Sequence, residues 1–447
     1  MFAQILLNLA LALWASATPG SNYNVSSEFA LAHGCGPKCQ SNIAAADIED
    51  LATFGPDFDF GFYETAANFT TSKAGDLLKL KPLDPQPLQI RSGTTIFRIQ
   101  YTSKDLDGSL VPVTGFIALP YTPASHLDLH GRYPLVAFAH GTSGIYRGCA
   151  PSNGPGLYDY DSWQLLVERG YAVIATDYAG LGNNYTSHKY ISLTSQAADT
   201  YYSVMAARQA LDIFTKQWVA VGHSQGGGAV WKLSESDLIK HDKHFLGSVA
   251  IAPATRVWDM FLQILQKKGS FLGYISYHAK AMQRYMPSYN LTILGEPLLQ
   301  RMTISDTAQL CFSGLMGLSS DLLAEEMVSW DGIRRDAPLY LEWQDKMAPA
   351  VNGTRSSHPL LVVQGLNDTS VLPEVTRTVY EMARKAGSGI SLSEYPGMEH
   401  SPVIAAAAAE WLAWVDARFK NEPLKHQGAK VQHPYNLALV KAPSEGF

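Results

Sequence analysis

Three residues along this chain are ordered so that they could activate a hydroxyl: Ser224 inside Gly222-His223-Ser224-Gln225-Gly226, then Asp368, then His400. A serine hydroxyl is a poor nucleophile until a base takes its proton. The G-x-S-x-G pattern is weak alone and strong in context. It follows the apolar run "WVAVGH" and opens a helical segment, the setting of a nucleophile elbow. Glycine at 222 and 226 lets two backbones pass closely around a strained serine. The same turn aims the Gln225 N–H and the helix start at one point, where an oxyanion would form. Asp368 lies in the loop after "PLLVVQG", and His400 follows "ISLSEYP". In these positions Ser224 would attack a carbonyl, His400 would take and return the proton, and Asp368 would hold the imidazole.

Other residues compete for these roles. Asp368 could simply cap a turn. Glu399 is a rival acid, but it adjoins His400 and would point elsewhere. His140 and His358 are alternative bases; one precedes the serine and the other sits at a strand start. His223 is read as packing. A second oxyanion donor is expected from "LVAFAHGTSG" (135–144), where Gly141 admits a close backbone and Thr142 offers its N–H, with or without its hydroxyl.

These residues need elements to hold them. Residues 18–90 read as irregular and rich in Pro, Gly and Asp. Strands follow in "TTIFRIQYT", "LVPVTGFIALP" and "RYPLVAFAH", then in "YAVIATD", "WVAVGH", "FLGSVAIAP", "PLLVVQG" and "ISLSEYP". Helices fall between them: "DSWQLLVERG", residues 193–215, the segment after Ser224, "PEVTRTVYEMARKAG" and the segment after Pro402. This alternation predicts an α/β fold with a mostly parallel sheet and helices on both faces. It breaks over 255–358, which is too long for a loop and reads as an inserted helical cap. The expected division is a leader at 1–17, an irregular segment at 18–90, a core at 91–254 and 359–420, the cap, and a tail at 421–447. In the cap, Phe261, Leu262, Ile264, Leu265, Phe271, Leu272 and Tyr274 form a dense apolar stretch suited to lining an acyl route.

The composition fits a folded chain: 447 residues, 46% hydrophobic and 17% charged, with net charge −6 and no basic run. That argues against a nucleic-acid partner. No H-E-x-x-H or zinc-type spacing occurs, so neither a metal nor a cofactor is expected. The N-terminus, apolar from Ile5 to Trp14 and ending in Ala15-Ser16-Ala17, reads as a secretory leader. Sequons at Asn24, Asn68, Asn184, Asn290, Asn352 and Asn367 agree with export, and the first five are candidate glycosylation sites. Four cysteines, Cys35, Cys39, Cys149 and Cys311, allow two disulfides in an oxidising compartment.

The succession "AHGTSGIYRGCAPS", "GYAVIATDYAGLG", "VGHSQGGGAV", "QGLNDTSVLP" and "YPGMEHSP" resembles the α/β-hydrolases of the fungal secretory lipase family over roughly 90–420. The resemblance implies a secreted ester hydrolase with a helical cap over an acyl pocket. It also implies that Cys149 pairs with Cys311. Cys35 and Cys39 are expected to close a small local loop. The chain departs from that pattern at His140-Gly141-Thr142, in its G-H-S-Q-G elbow, and in placing Cys35 and Cys39 near the N-terminus. The reading is a secreted, monomeric serine hydrolase of carboxylic esters, a lipase or esterase acting on a small or lipid ester and able to meet a lipid–water interface. The alternatives are acyl transfer through the same triad, amide hydrolysis, and a non-catalytic binding protein on the same fold.

Overall fold

The computed structural model describes residues 20–127, 129–158, 162–266, 272–423 and 429–434. The expected leader therefore lies outside the described residues, as do Phe271 and most of the tail.

Ten strands form one sheet: β1 Leu77–Pro82, β2 Thr95–Lys104, β3 Leu110–Leu119, β4 Tyr133–Ala139, β5 Ala172–Thr176, β6 Phe214–His223, β7 Phe245–Ile251, β8 Leu360–Gly365, β9 Ile390–Tyr395 and β10 Lys430–Gln432. Their spatial order is β1-β2-β3-β5-β4-β6-β7-β8-β9-β10. The pairs β1–β2, β2–β3 and β3–β5 are antiparallel, and every pair from β5–β4 to β9–β10 is parallel. This mixed sheet with helices on both faces is the α/β-hydrolase architecture.

The central strands are apolar at almost every position because both faces are covered. Successive side chains alternate between two cores. Leu135, Ala137, Trp218 and Ala220 face helices Leu193–Ala210 and Gln225–Ser234. Val136, Phe138, Val219 and Val221 face helices Trp163–Glu168 and Ala408–Phe419.

The chain between β7 and β8 is helical, with longer helices at Val257–Gln266, Tyr274–Tyr285, Glu296–Ala308 and Trp330–Met347. The segment before β1 is not irregular as expected. It carries helix Pro37–Phe54, which packs on the short cap helix Phe312–Gly317. Its apolar face is sparse (Cys39, Ile43 and Phe54 are the buried apolar residues), so the periodicity is faint in sequence. Within the tail, β10 extends the sheet edge by pairing with β9. Three residues give too short a pattern to be read as a strand.

Candidate active site

The elbow is built by close backbone approach. Ser224 sits between β6 and helix Gln225–Ser234 at φ 57°, ψ −118°, a strained conformation for a residue with a Cβ. Hydrogen bonds hold it there. Its N–H donates to the Ile251 carbonyl at 2.9 Å, and its own carbonyl accepts from Gly228 at 3.0 Å and Ala254 at 2.9 Å. A Cβ on Gly222 would lie 2.2 Å from the Gly226 carbonyl oxygen, and one on Gly226 would lie 1.9 Å from that of Ala139. Both glycines are therefore required by space. The second contact also places the end of β4 and the loop 140–144 against the helix start.

Asp368 and His400 meet beyond the C-terminal ends of β8 and β9. The His400 Nδ1–H donates to Asp368 Oδ2 at 2.8 Å. The Asp368 carboxylate is buried and also accepts from the N–H groups of Ser370 at 2.9 Å and Val371 at 2.8 Å, and from Gln364 Nε2 at 3.1 Å. The two loops are joined by the Asn367 N–H donating to the Met398 carbonyl at 2.9 Å. His223, next to the serine, donates from Nε2 to the His400 carbonyl at 3.1 Å, and the two rings pack 4.5 Å apart. The elbow and the histidine loop thus touch. The bond to Asp368 engages Nδ1 of His400 and leaves Nε2 out of that contact.

The rival residues are placed elsewhere or otherwise engaged. Glu399 is exposed. His358 precedes β8, at the opposite end of the strand from Asp368, and its Nδ1 meets Ser357 Oγ at 3.0 Å. His140 is buried with its ring nitrogens at the carbonyls of Gly141 (2.5 Å) and Asp177 (3.2 Å). Burial pushes its pKa down to about 4. His223 is likewise held neutral by burial, with His400 beside it adding to the shift.

Of the oxyanion candidates, Gln225 opens its helix, so its N–H has no partner within that helix. Its side chain donates to His188 Nε2 at 3.3 Å. The Thr142 hydroxyl is tied to the Tyr190 hydroxyl at 2.9 Å, and the Thr142 carbonyl accepts from Tyr158 at 2.5 Å. The hydroxyl is thus engaged, and the backbone N–H is the better candidate donor. Two disulfides are present, Cys35–Cys39 and Cys149–Cys311. The second joins the loop after β4 to the cap, where the Phe312 N–H also donates to the Ser143 carbonyl at 3.1 Å.

A narrow cavity of about 20 Å³ lies over Ser224. Val257, Met260, Phe261 and Ile264, one face of helix Val257–Gln266, line it together with Tyr190, Tyr274 and His278. Leu262, Leu265 and Leu272 do not line it. A larger cleft beside β9 and helix Ala408–Phe419 holds none of the candidate catalytic residues. Tyr190, Tyr158, His188 and His278 were not singled out from the sequence. They reach the site from distant segments, and no local motif marks them. Among the described residues no group of three or more His, Cys, Asp or Glu is arranged to hold a metal ion, and no helix is long and apolar enough to cross a membrane.

The family model described as serine aminopeptidase, S33, matches residues 156–404, more than half of the chain, and the chain belongs to that hydrolase family. No curated protein matches it. Among solved structures, lipase A of Candida antarctica is similar at TM-score 0.67 and 15% identity, covering 85% of this chain and 91% of that one. The rice cell wall degrading esterase LipA of Xanthomonas oryzae is similar at TM-score 0.60 and 20% identity, covering 78% and 98%. A putative hydrolase of Legionella pneumophila is similar at TM-score 0.63 and 15% identity, covering 78% and 100%. These likenesses establish a lipase-A-like α/β-hydrolase fold.

Proposed function

From that family membership and the geometry around Ser224, we propose that the protein is a serine hydrolase of carboxylic esters working through an acyl-serine intermediate. Ser224 Oγ bonds to the acyl carbon while His400 Nε2 takes its proton. The proton then goes to the departing alcohol as the ester C–O bond breaks. Water repeats the sequence and frees the acid and the serine. Asp368 fixes the ring and favours the charged imidazolium; the N–H groups of Gln225 and Thr142 serve the oxyanion. The observation that carries this reading is the Asp368–His400 pair brought against a strained serine elbow beneath an apolar cavity.

The cavity also favours an ester over an aminopeptide. An aminopeptidase must hold an ammonium group, which calls for a carboxylate facing the site. None of the described residues lining this cavity is Asp or Glu. Export is part of the proposal, supported by the two disulfides and by sequons that are all exposed where described. So is action as a monomer on small or lipid esters.

A fluorophosphonate probe tests the nucleophile, and matched p-nitrophenyl esters and aminoacyl p-nitroanilides test the bond. The expected result is one adduct, on Ser224, with turnover of esters alone. An adduct elsewhere, or faster cleavage of the anilides, overturns the reading.

A further inference from the structure

One side chain of the cavity wall carries a buried polar atom with no partner among the described residues. His278, on helix Tyr274–Tyr285, lines the cavity that Ser224 opens into. It is 3% exposed. Its Nδ1 is enclosed and has no hydrogen-bond partner among the described residues. Burial pushes its pKa down to about 4, with neither a hydrogen bond nor a charge contributing. The ring is therefore neutral at ordinary pH, with one donor and one acceptor nitrogen. Its neighbours do not serve it. The Phe261 ring packs 5.1 Å away, and the Tyr340 hydroxyl donates to the His278 carbonyl rather than to the ring. Leaving a buried polar nitrogen unpaired costs about 1–3 kcal/mol. A leucine at this position would line an acyl pocket without that cost.

We propose that the pocket takes an acyl group bearing a hydroxyl, which the His278 imidazole reads. The inference rests on the ester-hydrolase reading of the same site. A hydroxyl both donates and accepts, so it matches either ring nitrogen and either tautomer. A charged substituent does not fit: the described lining contains no Asp, Glu, Lys or Arg to pair with it. A site built to bond a substrate hydroxyl rejects the analogue lacking it far more strongly than an apolar pocket rejects a missing methylene.

The test reads binding apart from turnover. The full chain carrying Ser224→Ala is titrated calorimetrically with octanoate and with hydroxyoctanoates whose hydroxyl moves from carbon 3 to carbon 8. One positional isomer should bind about tenfold more tightly than octanoate. Adding His278→Leu should erase that preference, and adding His278→Gln should keep part of it. If octanoate binds as tightly as every isomer, the nitrogen is served in another way, such as by a buried water, and the proposal falls. It also falls if His278→Leu retains the preference. The isomer series on the His278-containing protein decides the matter even where His278→Leu does not fold. p-Nitrophenyl esters of the same acids, given to the wild type, separate the two readings. A hydroxyl preference in binding without ester turnover overturns only the esterase. Ester turnover without that preference overturns only the His278 subsite.

Discussion

The floor and the roof of this site are built on different terms. On the floor, the buried carboxylates are densely hydrogen-bonded. Asp368 accepts four hydrogen bonds, and the buried Asp177 accepts from the Ser152 N–H at 2.8 Å, the Ser152 hydroxyl at 2.5 Å and the Thr114 hydroxyl at 2.7 Å. In the roof, Trp258 Nε1, Ser276 Oγ, Tyr277 OH, His278 Nδ1 and Trp343 Nε1 are buried with no partner among the described residues. Paired polar groups fix atoms to within a hydrogen bond's tolerance, whereas apolar contacts fix volume and shape. The floor is thus suited to chemistry and the roof to choosing an occupant. A few ties hold the roof in place: the Cys149–Cys311 bridge, and Arg284 donating from the cap to the carbonyls of Ile145 and of His188.

The largest effects should come from the floor. Ser224→Ala and His400→Ala should each lower kcat/KM for p-nitrophenyl esters by about 10³-fold or more, and the double variant by about as much as either, because the groups act as a unit. Asp368→Ala should cost less, since Gln364 and water can partly orient the ring. Near wild-type turnover in His400→Ala would mean that the base is another group.

The ties between floor and roof come next. The Cys149–Cys311 bridge spans a sequence separation of 162. Replacing both cysteines with alanine should cost about 4 kcal/mol, while losing the short Cys35–Cys39 loop should cost less, because the longer loop removes more freedom from the unfolded chain. Denaturant melts of the two double variants check the order, and equal losses would remove the distinction. On the floor itself, Gly226→Ala forces a Cβ against the Ala139 carbonyl. It should cost about 3 kcal/mol and lower fluorophosphonate labelling of Ser224. Full labelling at wild-type stability would show that the elbow has room to spare.

The same contrast explains what the sequence discloses. The floor comes from short local signals. Gly222 and Gly226 bracket Ser224, and Asp368 and His400 each follow an apolar run, so strand, turn and residue type coincide within ten residues. The roof is assembled from contacts between segments far apart. Helix Pro37–Phe54 rests on helix Phe312–Gly317, and nothing in either segment names the other. His278 looks like any histidine on a helix until the cavity is seen. Helix Pro37–Phe54 was also hidden because it buries little apolar surface. Part of its contact is polar: Asp50 accepts from the N–H groups of Ser313 at 2.9 Å and Gly314 at 2.8 Å.

That contact carries a smaller, pH-dependent effect. Burial, with Asp50 nearby, pushes the Asp47 pKa up to about 7, and Asp47 Oδ1 lacks a partner among the described residues. A carboxyl raised in the folded state binds more protons there than in the unfolded chain. Its contribution to stability is therefore full below the unfolded pKa of 3.8 and is lost as pH rises towards 7. Asp47→Asn should remove that loss and stabilise the protein at pH 8 by about 1 kcal/mol, the Coulomb part being screened by solvent, with little gain at pH 4. Melting at the two pH values checks this. An equal change at both would assign the effect to packing.

The smallest step belongs to the roof, and it repeats with each methylene. The apolar face of helix Val257–Gln266 meets the cavity at Val257, Met260, Phe261 and Ile264. Each methylene moved from water onto such a wall gains about 0.8 kcal/mol, or about fourfold in kcat/KM when the gain is realised in the transition state. Specificity for p-nitrophenyl esters should therefore climb from acetate towards octanoate and level off once the cavity is filled. Phe261→Ala should move that plateau to longer chains. Val257→Phe should depress octanoate while sparing acetate, since the smaller acyl group stays beside Ser224 and never reaches the added ring. A wild-type preference for acetate over octanoate would mean that the roof closes too near the serine to serve as an acyl wall, and the occupant would have to be a small ester.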